Sequence, residues 1–192
     1  MQPAQLNLRI TRGATWRKLL TIMQPQYAYK PITSINKTAP LTLTVEHELP
    51  TPNWPIWIEG SASSELNTDK HRQRFRMARV IDEQTIELNG INGHSIKATG
   101  GYVVYQLPVD FYGCTAVLAI TAAHSAKPIV ELTETAGLEL GNGFINVALT
   151  AEQVQLLPAS ATYSLVVTHD TDEIKWLCGE VTVNDCKNDC PC

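Results

Sequence analysis

The stretch Leu6-Asn7-Leu8-Arg9-Ile10, followed closely by the pair Arg12-Gly13, decides how the rest of this chain is interpreted. Its apolar and polar side chains alternate with a period of two, which predicts a strand with one buried face. Arg12-Gly13 predicts a tight turn, because glycine readily adopts the backbone conformations that turns require. The next run, Thr15–Ile22, is predicted to return as a second strand.

The same texture continues along the chain. Short runs rich in branched and aromatic residues predict further strands at residues 41–45, 56–59, 75–81, 85–88, 102–106, 115–121, 129–132, 144–149, 163–168 and 174–183. Turn-forming sequences such as Asn89-Gly90 and Gly141-Asn142-Gly143 separate them. The sequence therefore predicts an all-β fold, an antiparallel β-sandwich with one short helix and a small, mostly β inserted module.

The one predicted helix begins at Thr150. Thr150-Ala151-Glu152-Gln153 has the pattern of a capping box, in which the Thr150 and Gln153 side chains satisfy each other's backbone donors. Pro158 ends the segment after a few apolar residues. A helix of this length is marginal alone, so we expect it to lie against the sheet.

The composition describes a folded chain without membrane segments. Apolar residues make up 44% of its 192 residues and charged residues 18%, so a disordered chain is excluded. The longest apolar run, at 114–123, is shorter than the roughly 20 residues that a membrane helix needs. Residues 1–5 do not resemble a signal peptide. We expect a soluble protein with no membrane insertion.

The net charge of −4 is unevenly distributed. Residues 1–32 carry +5, residues 33–106 carry −1 and residues 107–192 carry −8. Nucleic acid is not an expected partner, because affinity for it comes largely from neutralising phosphates. Opposite charges at the two ends favour head-to-tail contacts between copies of the chain instead.

Residues 33–106 are predicted to form a unit of their own, between Pro31 and Pro108. The flanking segments 1–32 and 107–185 are then predicted to form one discontinuous β-sandwich. Residues 186–192 are a cysteine-rich tail.

The flanking segments resemble the N-terminal domain of phage baseplate upper proteins and related tailed-phage structural proteins. The matching segments occur in the family's order, as a strand, an Arg-Gly turn and a return, then a Pro-Val-Asp stretch, a short helix with Leu-Pro, and two closing strands. They are residues 8–16, 107–116, 149–159, 162–165 and 179–183. The resemblance implies a virion structural protein near the tail tip or fibre attachment.

The inserted segment resembles a phage-tail module related to the first catalytic-cysteine half-domain of ubiquitin-activating enzymes. The matching segments are residues 45–49, 55–60, 65–67, 77–80 and 85–93. The usual pattern has Gly-Asp just before the strand, where this chain has Asn53-Trp54. No enzymatic role carries over, because residues 33–106 contain no cysteine nucleophile.

Together these resemblances imply a non-enzymatic adaptor of the tail, baseplate or fibre attachment, located in the virion after assembly in the host bacterial cytoplasm. Its expected partners are further copies of itself in a symmetric oligomer and other virion tail proteins, and no cofactor is expected. A capsid decoration or head–tail joining protein is one alternative. A module that binds a host surface glycan is another.

Motifs for catalysis or metal binding are weak in this sequence. The Gly-x-Ser-x-Gly elbow of serine hydrolases is absent. His47-Glu48 lacks the second histidine of a zinc-protease motif, and we interpret it as a solvated strand end. Asp170, Asp172 and Glu173 alternate as calcium ligands can, but they also suit a hairpin turn.

The cysteines allow one weak metal candidate. Cys186, Cys190 and Cys192 offer three thiolates, but their spacing is not that of a zinc knuckle, and we favour a silent terminus. Cross-linking between subunits in an oxidising exterior is the other interpretation. Cys114 and Cys178 fall in predicted strands and are interpreted as small buried apolar groups.

Two interaction candidates complete the prediction. On one strand Arg72, Arg74 and Arg76 share a face that suits an acidic partner, although we favour a solvated, charged edge. Trp54 and Trp57 lie among prolines and are candidates for exposed rings that stack on a glycan. Trp16 and Trp176, by contrast, are expected to pack in the core.

Overall fold

The computed structural model describes residues 3–96, 100–123 and 125–185. The described chain falls into two compact units. The terminal unit contains residues 3–21 and 110–185, and the inner unit contains residues 22–109. Most described residues lie in strands, which confirms the predicted all-β class. Within the described residues, no helix is long and apolar enough to cross a membrane.

The strands, in chain order, are β1 (Ala4–Gln5), β2 (Leu8–Thr11), β3 (Trp16–Thr21), β4 (Met23–Pro31), β5 (Ser34–Asn36), β6 (Leu41–Thr44), β7 (Asn53–Glu59), β8 (Arg76–Asp82), β9 (Thr85–Leu88), β10 (Tyr102–Pro108), β11 (Cys114–Ala122), β12 (Pro128–Leu132), β13 (Leu138–Gly141), β14 (Phe144–Leu149), β15 (Ser160–His169) and β16 (Asp172–Asn184). The α-helix α1 spans Ala151–Leu156, and a single 3₁₀ turn spans Gly93–Ser95.

The terminal unit contains two sheets. The larger has the order β1-β16-β15-β11-β12, with β2 also paired to β16, and the smaller has the order β13-β14-β3. Along β15 every second side chain is buried, as the period-two pattern predicts, and this buried row includes Tyr163, Leu165 and Val167. Most pairs are antiparallel, but β1 and β2 run parallel to β16.

The first two long strands lie in different sheets. We expected them to follow each other around a tight turn, and Gly13 does adopt a positive φ of 87° there. However, β2 pairs with β16 while β3 pairs with β14. The Arg12 side chain holds this corner, because its Nε lies 2.6 Å from Asp185 and one of its terminal nitrogens donates to the Leu157 carbonyl at 3.0 Å.

The inner unit is a single seven-stranded sheet with the order β4-β10-β7-β8-β9-β6-β5. One face of the sheet covers a core of branched and aromatic side chains that includes Leu41, Leu43, Trp54, Ile56 and Ile86.

The boundary of the inner unit differs from the one predicted. Residues 22–32 and 107–109 belong to the inner unit, because β4 pairs with β10 along most of its length. Pro25 and Pro31 obscure this strand in the sequence. Proline is tolerated in β4 because the strand lies at the edge of the sheet.

The predicted helix and turns are present where their residues suggested. The Thr150 hydroxyl accepts from the Gln153 amide at 3.2 Å, and the Gln153 side chain accepts from the Thr150 amide at 2.9 Å, which completes the capping box. The predicted turn at residues 141–143 is present, with Gly141 ending β13 and residues 142–143 connecting it to β14. The turn between β15 and β16 places Asp170 in the left-handed region, at a φ of 54°.

Candidate interaction surface

The outer face of the inner sheet carries a concentration of aromatic side chains. Tyr27 and Tyr29 come from β4, Trp57 from β7, Tyr102 from β10 and Phe75 from the residues just before β8. We call these five residues the aromatic face. Strand register brings them together, because Val104 of β10 pairs with Tyr29 on one side and with Trp57 on the other.

Trp57 forms the floor of the aromatic face. Its ring makes edge-to-face contacts with Tyr27, at a centroid distance of 5.8 Å, and with Phe75, at 6.3 Å. Its indole nitrogen donates to the Gln73 carbonyl at 3.2 Å. Only 7% of Trp57 is exposed, so its neighbours rather than its own ring meet the solvent.

Lys70 anchors the tyrosine side of this surface. Its ammonium lies 2.9 Å from the Glu59 carboxylate, 5.0 Å from the centroid of the Tyr29 ring and 5.6 Å from that of Tyr27. The side chains of Tyr29 and Glu59 together hold the pKa of Lys70 above its ordinary value. Lys70 is therefore a fixed cation whose charge is balanced within the surface.

A polar cleft of about 610 Å³ adjoins Lys70. Its walls are prearranged by internal hydrogen bonds. The Asn67 amide group accepts from the Ser61 amide and donates to the Ser61 carbonyl, both at 2.8 Å. The Gln73 side chain accepts from the Asp69 amide at 2.9 Å. The cleft thus offers carboxylate and amide groups, held by the backbone, beside a row of aromatic rings.

The three predicted arginines do not share a strand face. Arg72 and Arg74 precede β8, in a segment where the Asp69 carbonyl accepts from the amides of Arg72 and Gln73 and so closes a turn. Arg76 begins β8, and a terminal nitrogen of its guanidinium donates to the Glu65 carbonyl at 2.8 Å. The prediction of a shared basic face is wrong, because Arg72 and Arg74 lie in the turn segment before β8 and not on the strand with Arg76.

The prediction that Trp54 and Trp57 are exposed is also wrong. Trp54 is 2% exposed, points into the core of the inner unit and donates to the Gln106 carbonyl at 2.9 Å. Strand β7 lies between β10 and β8, and both of its faces are covered, so the neighbouring prolines do not bring either ring to the surface.

His47 is buried rather than solvated. Its Nδ1 accepts from the Leu49 amide at 3.2 Å, whereas its Nε2 is buried with no hydrogen-bond partner among the described residues. Burial lowers the pKa of His47. Glu48 is exposed and lies 3.4 Å from Lys30. The interpretation of this pair as a solvated strand end is therefore wrong for His47, although Glu48 beside it is exposed.

The remaining candidates form no described site. Asp170 and Asp172 lie at the exposed hairpin turn between β15 and β16. No cluster of His, Cys, Asp and Glu suited to a metal ion occurs within residues 3–96, 100–123 and 125–185. Cys186, Cys190 and Cys192 lie outside the described residues.

The other cysteines and tryptophans of the terminal unit are less buried than expected. Cys114 and Cys178 are free thiols in strands, but each is half-buried. Trp16 and Trp176 are half-buried too, and Trp176 packs edge-to-face on Phe111 at 5.7 Å.

Comparison with known proteins adds little to these observations. No protein-family model matches the chain, and no curated protein does. Two crystal structures of a tri-modular GH5 (subfamily 4) endo-beta-1,4-glucanase from Bacillus licheniformis, the second complexed with cellotetraose, are similar at 10% identity with TM-scores of 0.26 and 0.27. Each match covers 93% of this chain, which spans 37% of the glucanase. Scores this low carry no argument about fold or activity.

Proposed function

We propose that this chain is a non-enzymatic structural protein of a tailed-phage virion, an adaptor of the tail, baseplate or fibre attachment that acts through symmetric protein–protein contacts. The proposal starts from the resemblance of the flanking segments to baseplate upper proteins. Those segments lie mainly on β2 and β3, at the start of β11, on α1 and on β15 and β16, which belong to the terminal unit, whereas residues 107–109 at the start of one segment belong to the inner unit.

The pairing of β2 with β16 is the observation that carries the proposal. Leu8 pairs with Val181 and Ile10 with Val183, so the beginning and the end of the described chain meet in one sheet. The inner unit leaves the terminal unit after β3 and returns before β11. The terminal unit therefore carries the inner unit as an insertion between two of its strands. Each unit then offers a surface of its own, which suits a protein that contacts several partners.

Exposed charges of opposite sign support contacts between copies. Arg17 and Lys18 are exposed on β3, an edge strand of the smaller sheet, whereas Asp170 and Asp172 are exposed at the β15–β16 turn. Attraction between these groups favours a head-to-tail arrangement of copies. In a closed ring, several such contacts act together, although each has only modest affinity.

The mass of the purified protein in solution tests this proposal. We expect light scattering to give a multiple of the 21.2 kDa chain mass for the chain alone, or a mass above that of each separate component on mixing with other tail proteins. Reversing the charges of Arg17 and Lys18 to Glu should shift the mass toward the monomer, while Arg72→Glu, an exposed charge in the inner unit, should not. A monomer that binds none of the tail components would contradict the proposal.

Localisation separates the proposed tail station from its alternatives. Gold-labelled antibody against the chain, viewed on purified particles by electron microscopy, should decorate the tail tip. Labelling over the capsid would favour a decoration protein, and labelling at the neck would favour a head–tail joining protein.

A further inference from the structure

We propose that the aromatic face of the inner unit binds a neutral saccharide, with the rings of Tyr29 and Tyr102 against the sugar C–H faces and the adjoining polar cleft holding its hydroxyl groups. This inference concerns the inner unit alone and does not depend on a virion role.

The exposed area of the aromatic face is the first reason. Tyr29 and Tyr102 are each 49% exposed and Phe75 is 50% exposed, although Tyr29 pairs with the fully buried Val104 and Phe75 contacts the buried Trp57. These half-exposed rings present flat apolar area to a ligand, while packing against buried neighbours holds their inner parts in place. Exposed aromatic area gathered on one face of a sheet in this way marks an interaction site.

The fixed geometry of the rings is the second reason. Lys70 lies above Tyr29 and is clamped by Glu59, and Glu59 in turn pairs across the sheet with Tyr102. Binding to side chains that are already ordered loses less conformational entropy than binding to mobile ones.

The balance of charge selects a neutral ligand. The carboxylate of Glu59 neutralises Lys70 at 2.9 Å, and residues 22–109 contain eight basic and eight acidic side chains. The cation nearest the tyrosine rings is therefore already paired, and a phosphate or a sulfated polymer would have to displace the Glu59 carboxylate to reach it.

The polar groups select a saccharide over a peptide. Proline-rich peptides dock on aromatic grooves, often with a hydrogen bond from an exposed indole, but the indole N–H of Trp57 already donates to the Gln73 carbonyl. Glu59 contacts Lys70 through Oε1, so its second oxygen remains to accept from a ligand hydroxyl. Carboxylates and amides beside aromatic rings match a molecule that has hydroxyl edges and apolar faces.

An array of neutral and anionic oligosaccharides, probed with the full chain, gives the first test. We expect retention on at least one neutral oligosaccharide, and the same compound should then be titrated by calorimetry. Tyr29→Ala and Tyr102→Ala should each weaken binding about tenfold or more, because each removes a stacking ring. Tyr29→Phe keeps the ring and should bind within about threefold of the natural chain.

Tyr112→Ala is the matched control, because Tyr112 is 89% exposed and belongs to the terminal unit. It should bind like the natural chain, and thermal unfolding should verify that every variant is folded. The inference is overturned if no neutral oligosaccharide is retained, if only anionic ones are, or if Tyr112→Ala loses as much affinity as Tyr29→Ala. Preferential binding of a proline decapeptide in the same titration would also overturn it, in favour of a peptide site.

Discussion

Replacing Ile10 with alanine should destabilise the terminal unit strongly. Ile10 lies on β2 with 1% of its surface exposed, and it pairs with Val183 of β16. The substitution removes three carbon atoms, at about 0.8 kcal/mol each, and leaves a cavity that adds to this loss. We expect the unfolding free energy of the terminal unit to fall by about 3 kcal/mol, within the usual range for such truncations.

Native-state hydrogen exchange is the appropriate assay, because it reports on each unit separately. The slowest amides of β15, around Leu165, should exchange about a hundredfold faster in Ile10→Ala, since each 1.4 kcal/mol changes the rate about tenfold. Leu19→Ala is the control, because Leu19 lies on β3, the next strand along the chain, but is 58% exposed. This substitution should change the unfolding free energy by no more than about 0.5 kcal/mol. Equal exchange rates in the two variants would refute the burial of β2 against β16.

Three further predictions concern His47, Gly179 and Tyr163. Because burial lowers the pKa of His47 below 6.5, the unfolded state binds more protons than the folded state. The unfolding free energy of the inner unit should therefore fall as pH falls below 6.5, by at most about 1.4 kcal/mol per pH unit. Urea unfolding of His47→Asn from pH 7.5 to 5 should show that this slope is lost. Gly179→Ala should cost about 1–3 kcal/mol in thermal unfolding, because a Cβ there would collide with the Leu6 carbonyl. Tyr163→Phe should cost about 1 kcal/mol by the same assay, because the Tyr163 hydroxyl donates to that carbonyl at 2.8 Å.

Each of these has a contradicting outcome. An unchanged pH slope in His47→Asn would show that another group titrates in this range. Full stability of Gly179→Ala would mean that Leu6 does not approach β16 closely. If Tyr163→Phe were as stable as the natural chain, the Tyr163 hydroxyl of the natural chain would have to be solvated. That would contradict the burial of Tyr163, which raises its pKa to about 12.

Local patterns in the sequence predicted those elements that depend on near neighbours. The alternation in Leu6–Ile10 gave β2, and the capping box gave α1, because each pattern acts within a few residues. Strand β4 was missed because its two prolines are typical of a loop. Only pairing with β10, more than seventy residues later, makes that segment an edge strand.

The aromatic face could not be predicted for the same reason. Tyr27-Ala28-Tyr29 shows period-two spacing and was the one local indication available. The approach of these rings to Trp57 and Lys70 depends on the order β4-β10-β7 and on the turn that carries Lys70 back over the sheet. Trp57 was predicted to be an exposed ring that stacks on a glycan, whereas in the structure it is buried and packs beneath more exposed aromatic neighbours.

Nuclear Overhauser contacts between β2 and β16 test the central claim, that the two distant parts of the chain form one sheet. Arg9 pairs with Thr182 in parallel register, so the account predicts backbone cross-peaks between the two strands around these residues in isotope-labelled protein. The Trp16 indole N–H already donates to the Arg9 carbonyl at 3.0 Å, so the contradicting result is a set of backbone cross-peaks that instead join Arg9 to Arg17, which would show a local hairpin. That result would remove the single terminal unit and the function proposed from it.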